Sequence, residues 1–397
     1  MRSGQFVKQT EGYEAFIPSP LPPHPPIDLL DPELNRLLSD ADRALGRLDG
    51  AASIVPNPDL FVTMFIRHEA VLSSQIEGTQ STLGDLLEHE AGVKKESHPY
   101  DVNELVNYVA AMNHGLDRLG DLPLSLRLLR EIHHVLMSGV RGGEKLPGEF
   151  RRDQNYIGAK DEGIGHAIFV PPPVPQMLVA LDQFEKFMHQ RHDLPVLIHC
   201  GLLHAQFETI HPFLDGNGRV GRLLITLMLC EQHILQKPLL YLSYYLKANR
   251  TEYYDRLMRI RTQGDWEGWL KFFLRGMIEV SKEATQRARD IVAMREAHRE
   301  RISDHLGHKT RNGLLLLELL FHRPLVTVSM VEAHLACSYN TANKLVIELE
   351  ALGLLNEITG AKRNRAYLYN TYYQIFQRPL VDDPAPRPTP SESPALQ

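Results

Sequence analysis

Residues 211–222 read His-Pro-Phe-Leu-Asp-Gly-Asn-Gly-Arg-Val-Gly-Arg and run straight into an apolar stretch, LLITLMLCEQHIL. A glycine-rich turn that opens a helix gathers free backbone N–H groups and the positive end of the helix dipole at one point, which suits an anion. Gly216 and Gly218 let the backbone approach that anion closely. Arg219 and Arg222 stand three apart on the first helical turn, where both could hold phosphates through charge-assisted bonds. Asp215 borders the turn as a hard oxygen ligand, and one carboxylate plus substrate phosphates is a usual way to hold Mg²⁺. His211 enters from the preceding turn and could accept a hydroxyl proton near neutral pH.

Rival motifs fail on context. Gly216-x-Gly218-x-x-Gly221 formally matches a dinucleotide-binding fingerprint, but residues 194–210 before it are patterned as a helix, not a strand. A phosphate-binding P-loop would need Lys-Ser or Lys-Thr after Gly221, where Arg222-Leu223 stand. No HExxH occurs: His68-Glu69 lacks the second histidine, and His133, His134, His199 and His204 read as core or surface positions of helices.

The dodecapeptide resembles the motif of the Fic (filamentation induced by cAMP) domain family, HPFx(D/E)GNGRxxR, at every specified position. The resemblance extends over about residues 60–280. It implies an all-α core with a β-hairpin flap, and transfer of AMP from ATP to a Ser, Thr or Tyr hydroxyl of a protein, self-modification included. By matching position, His211 would be the base, Asp215 the Mg²⁺ ligand, Gly216, Asn217 and Gly218 the anion hole, Arg219 a phosphate ligand and Arg222 the grip on the γ-phosphate. Val220 and Gly221 would complete the nucleotide-binding stretch. Ser73-Ser-Gln-Ile-Glu77-Gly78 is similar to the family's inhibitory motif, (S/T)xxxE(G/N), placed N-terminal to the core as in class II members. Ser73 and Glu77 are i,i+4 on one helical face, and a carboxylate in a last turn opposes the dipole and needs a partner. Arg222 is the natural one: paired with Glu77, it would leave the γ-phosphate unclamped. Asn249 resembles the family's adenine contact and also reads as a helix N-cap. The segment around Asn155, Tyr156, Ile157, Gly158, Ile168, Phe169 and Val170 resembles the flap that takes a target segment as an added strand.

These groups need a helical scaffold, and the periodicity supplies one. Asp31-Pro32 and Asn57-Pro58 are helix starts, the second leading to Glu77 with Gly78 as its stop. Further helices are expected over about 101–119, 123–139, 174–190, 195–209, 219–234, 248–262 and 265–298. Residues 150–173 interrupt them as a β-hairpin. From about 310, three helices (314–320, 326–336, 338–352) and two strands (354–359, 365–369) follow the order of a winged helix-turn-helix. The fold class is therefore mainly α. Its expected units are an N-terminal helical segment with the inhibitory helix (1–95), a Fic core (96–298), a winged-helix module (305–376) and a proline-rich disordered tail (377–397). Residues 18–26 hold six prolines in nine and must be extended.

Composition bounds the partners. The 397 residues are 43% hydrophobic and carry a net charge of −6, so a core forms and no global basic field awaits nucleic acid. Over 309–376, seven Lys+Arg face five Asp+Glu, a local +2, with Lys362, Arg363 and Arg365 in the wing. Tyr339, Asn340, Asn343 and Lys344 open the recognition helix, whereas Glu348 and Glu350 would repel phosphate. The module therefore reads equally as a DNA reader or as a surface for protein contacts and homodimerisation. Three scattered cysteines, no signal peptide and no apolar run near 20 residues point to a soluble cytoplasmic protein. Two rival activities stay open: Fic chemistry with another nucleotide or removing AMP, and a DNA-binding regulator that uses the Fic domain as a sensor.

Overall fold

The computed structural model describes residues 2–53, 58–93, 99–140, 145–158, 163–190, 194–361 and 364–378. The chain opens on an antiparallel hairpin of β1 (Gly4–Lys8) and β2 (Glu14–Pro18), in register from Gly4 opposite Pro18 to Lys8 opposite Glu14. Helix patterning alone does not reveal this hairpin, and it heads a segment expected to be helical apart from the extended residues 18–26. α1 (Pro32–Ser53) starts where Asp31 caps it: Asp31 Oδ1 accepts the N–H of Glu33 at 2.8 Å and of Leu34 at 3.0 Å. α2 (Pro58–Ile76) follows, its expected cap Asn57 lying outside the described residues, and stops one residue before Glu77. A short α3 (Leu83–Glu90), held by a capping box between Thr82 and Asp85, leads to α4 (Pro99–Arg118) and α5 (Leu126–Met137).

The core of the fold is α6 (Val174–His189), α7 (Val196–Ile210) and α8 (Asn217–Glu231). α7 and α8 are buried almost all round, the mark of a helix enclosed by others. α9 (Ser243–Ala248) and α10 (Arg250–Gln263) pack beside them. α11 (Trp266–His305) runs 40 residues and carries α1 along its side, pinned by Lys271 to Asp31 (2.6 Å) and Arg275 to Glu33 (2.6 Å). Between α5 and α6 the expected hairpin is closed by a single antiparallel bridge, Ile157 to Phe169.

The C-terminal module comprises α12 (Thr310–His322), β3 (Leu325–Thr327), α13 (Val328–Leu335), α14 (Tyr339–Ala351), β4 (Asn356–Glu357), β5 (Ala366–Leu368) and α15 (Asn370–Gln377). Its sheet order is β3-β5-β4. Residues 326–327, expected to open a helix, instead belong to β3, the third strand of this winged helix, because Val326 pairs with Tyr367 across the sheet. Ser338 caps α14 as expected. Lys362, Arg363 and the tail from 379 onward lie outside the described residues.

Candidate active site

α7 ends on His211, which adopts a left-handed conformation (φ 50°, ψ 60°) and still donates its N–H to Phe207 O at 2.9 Å. For a non-glycine residue that costs about 1–2 kcal/mol, so the neighbours must hold it. They do: His211 O accepts from Arg151 Nε at 3.0 Å and Asn155 Nδ2 at 3.3 Å. Burial, then the charges of Arg261 and Arg151, push the His211 pKa down to about 4, against an upward pull from Glu77. The ring is neutral at physiological pH, and its buried Nδ1 has no hydrogen-bond partner.

The loop from His211 to α8 is closed by Asn217, whose Oδ1 accepts Phe213 N and whose Nδ2 donates to Phe213 O, both at 2.8 Å. Its side chain is thus spent on shaping the turn, leaving its backbone amide at the helix start for a ligand. Gly216 caps α8 at φ +74°, where a side chain would be strained. Gly218 lies directly under the Glu77 carboxylate: a Cβ there would displace Glu77 Oε1 and lie 2.9 Å from Arg222 Nη1. Val220 and Gly221 do not face the cradle. Val220 is fully buried and bonds Gly216 O through its amide, and Gly221 backs onto Glu208 and Phe207.

Arg222 is the most tightly held cation in the site. Its Nε donates to Ser73 Oγ at 2.7 Å, and its Nη2 to Ser73 O at 3.0 Å and to Glu77 Oε1 at 2.7 Å. Burial raises the Glu77 carboxyl, but Arg222 more than cancels that and holds its pKa below the usual range. Arg219 lies under the loop, 3.6 Å from Glu104 Oε2 and 3.7 Å from Asp215 Oδ1. Its buried Nε and Nη1 have no hydrogen-bond partner.

Ser73 and Glu77 thus meet the 211–222 segment at Arg222 and Gly218. Residues 123–229 match the profile of the Fic/DOC family, residues 35–117 that of the Fic/DOC family N-terminal region, and residues 315–367 that of an HTH DNA binding domain. The chain carries a Fic/DOC domain. Over 203 residues it is 29% identical to a protein adenylyltransferase Fic of Drosophila virilis and 28% identical to its Drosophila melanogaster counterpart. Those matches take in 50% of this chain but only 38% and 37% of the relatives, so well under half of each relative is spanned. The fold resembles that of a Fic family protein from Desulfovibrio desulfuricans G20 (TM-score 0.55, 18% identity, 85% of this chain and 95% of that one). A Fic domain containing signaling protein from Bacteroides thetaiotaomicron is also similar (TM-score 0.50, 16% identity, 65% and 97%).

Within this Fic domain, Asp215 is half-exposed: its Oδ1 accepts Gly216 N at 2.7 Å and its Oδ2 accepts Lys145 Nζ at 2.8 Å. Burial raises its pKa, but Lys145 outweighs that and keeps it ionised. The Lys145 ammonium occupies a position that suits a cation, so a single carboxylate next to a phosphate cradle fits Mg²⁺. Among the described residues, no group of three or more His, Cys, Asp or Glu side chains forms a metal cage. Asn249 does not cap α10 with its side chain; Nδ2 donates back to Tyr245 O at 3.0 Å. In the flap, Asn155 also donates to Phe213 O at 2.9 Å, so it braces the motif loop. Phe169 is buried under the Arg261 guanidinium, 3.7 Å from its ring centroid, while Ile168 is exposed. Val170 O accepts the N–H of Phe16 at 2.9 Å, which joins β2 to the flap's far edge. Asn155, next to Tyr156 in the chain, ties this strand of the flap to the motif at His211 O.

Two contributors had no local signal in the sequence. His133 stacks on Phe213 (centroids 3.8 Å apart), accepts Gly148 N at Nδ1 (2.8 Å) and faces Asp215 O from Nε2 (3.1 Å). The first bond makes Nδ1 the acceptor, so Nε2 carries the proton and donates to the Asp215 carbonyl. Arg151 likewise reaches His211 across sixty residues of sequence.

Proposed function

We propose that this protein transfers AMP from ATP to a Ser, Thr or Tyr hydroxyl of a protein, itself included, and that Glu77 restrains the reaction. The observation that carries the reading is the convergence of a neutral His211, the open start of α8 and Arg222 on one cradle, with Glu77 seated on it. The printed names of the Drosophila relatives support the same chemistry. His211 takes the proton of the target hydroxyl, whose oxygen attacks the α-phosphorus as the bond to the leaving pyrophosphate breaks. The α8 amides stabilise the charge on the phosphates. Arg222, once released from Glu77, grips the γ-phosphate, and Arg219 offers positive charge from below. Asp215 would hold Mg²⁺, which would supply further charge neutralisation on the phosphates. Asn249 and the α9–α10 segment border the base, and the Tyr156–Gly158 edge takes the target strand. Cys200, Cys230 and Cys337 are all unpaired, which suits a reducing cytoplasm.

The nucleotide is tested by intact-mass spectrometry of Glu77→Gly with Mg²⁺ and each of ATP, GTP, CTP and UTP. A mass increment of AMP with ATP alone supports the reading. An increment with another nucleotide instead, or ATP binding with no transfer to the chain or to added cell proteins, overturns it.

A second reading concerns the C-terminal module, for which the HTH match is specific. The start of α14 exposes Tyr339, Asn340, Thr341 and Lys344. Of the two acids expected to repel phosphate, Glu348 is paired with Lys309 and Glu350 accepts Glu357 N at 3.3 Å. That leaves a face suited to duplex DNA.

A further inference from the structure

α2 is shared by two parts of the molecule. Toward the catalytic cradle it presents Glu69, Ser73 and, just beyond its end, Glu77, at four-residue steps. Glu69 accepts the amide and the hydroxyl of Ser243, and Ser73 and Glu77 hold Arg222. Its adjoining face is buried in the C-terminal module. Phe61 lies against Phe321 of α12 (5.2 Å), and Phe65 and His68 against Phe376 of α15 (5.2 and 5.7 Å). Arg67 locks the joint. It is nearly inaccessible, donates to Glu90 at 3.0 and 2.6 Å, and gives Nη1 to the carbonyl of His322 at the end of α12 (2.8 Å). One guanidinium thus ties α2, the last residue of α3 and the winged-helix module. A packed helix is stiff, and ten residues separate Arg67 from Glu77, about 15 Å along the axis.

The same end of α3 borders the face suited to DNA. A groove of ≈ 740 Å³ separates Glu88 and Ala91–Val93 from Ser329, Tyr339 and Arg365. A phosphate backbone engaging Tyr339 and Arg365 comes up against Glu88 in the groove wall, on the last turn of α3, and a push on that turn strains the hold of Glu90, on its other side, on Arg67. Like charges brought together in this way repel. Glu90 is the residue that holds Arg67.

We propose that the winged-helix module controls the Fic site: duplex DNA on the start of α14 loosens the Glu90–Arg67 joint, α2 shifts, and Glu77 leaves Arg222. This rests on the reading of Glu77 as a restraint on AMP transfer and names its effector. Coupling of this kind spans about 5- to 150-fold between two sites.

The test uses the full chain, a random-sequence 30-base-pair duplex at low salt, and two readouts. Hydrogen exchange of the 73–78 peptide reports the restraint itself, and intact mass with ATP and Mg²⁺ reports transfer. The expected result is that DNA binds, speeds exchange at 73–78 by about 5-fold or more, and raises modification of the wild type but not of Glu77→Gly. Arg67→Met, and the milder Glu90→Gln in case the first does not fold, should show the faster exchange without DNA. Absence of DNA binding, DNA bound with unchanged exchange, or exchange at 73–78 unmoved in both folded variants overturns the proposal. Failure of Glu77→Gly to transfer AMP would instead refute the catalytic reading, and leaves the exchange result to decide the coupling.

Discussion

Replacing Glu77 with glycine removes the carboxylate that sits on Gly218 and bonds Arg222 at 2.7 Å. The Arg222 side chain is 2% exposed and that of Glu77 37%, so the pair is half sheltered. A hydrogen bond between charged groups contributes about 1.5–3 kcal/mol, and the solvent at Glu77 places this one near the lower end, about 1.5–2 kcal/mol. At 1.36 kcal/mol per decade, releasing Arg222 raises the rate of AMP transfer about 10- to 30-fold. The two bonds from Arg222 to Ser73 survive the change, so the guanidinium stays aimed while its free N–H turns to the γ-phosphate. Glu77→Gln, which keeps the shape and loses the charge, should fall between. The assay is the initial rate of AMP incorporation by intact mass at saturating ATP. A Glu77→Gly protein that binds ATP and is no faster than wild type would refute this reasoning.

Other expectations are as direct. Asn217→Ala leaves Phe213 N without a partner, while Asn155 Nδ2 still donates to Phe213 O, and should lower stability by about 1–3 kcal/mol in chemical denaturation. Arg151→Met in the Glu77→Gly background should cut the transfer rate about 10-fold while ATP affinity, measured by calorimetry, stays within 2-fold, because Arg151 holds His211 and not the nucleotide. Stability should fall as pH drops from 6.5 toward 4, read as thermal midpoint against pH. His133, His204 and His211 are pushed down to about 4 and His68 to about 3, chiefly by burial, so the unfolded chain binds protons in that window and the fold does not. Glu69 and Glu208, raised by burial to about 7, act oppositely: their contribution is full below the unfolded carboxylate pKa and is lost as pH rises through 7. With four histidines against two glutamates, the acid-side loss dominates, and a midpoint that rises on acidification contradicts it.

The motif stretch was legible because the chemistry it offers is local: the glycines, the two arginines, the aspartate and the histidine fall within twelve residues. The Glu77–Arg222 partnership was also readable, since a carboxylate closing a helix needs a cation and the motif offered one. Roles within the stretch were less so. Asn217 folds its side chain back on Phe213, and Val220 and Gly221 face the core, distinctions that depend on which side of α8 meets α7. His133 and Arg151 could not be found from sequence, because their value lies in carbonyls of Asp215 and His211 some sixty to eighty residues away. The β1–β2 hairpin escaped a helix-periodic reading for a related reason. Its Phe16 is buried against Phe169 of the flap, so tertiary packing stabilises strands that local pattern leaves ambiguous.

The central claim, that His211 drives AMP transfer at this cradle, is tested most directly by comparing Glu77→Gly with Glu77→Gly/His211→Ala. Both are incubated with ATP and Mg²⁺, with and without added cell proteins, and their ATP affinity is measured alongside. The account predicts AMP incorporation by the first, none by the second, and ATP binding by both. Incorporation that persists without His211, or none by Glu77→Gly on any protein although ATP is bound, would contradict it.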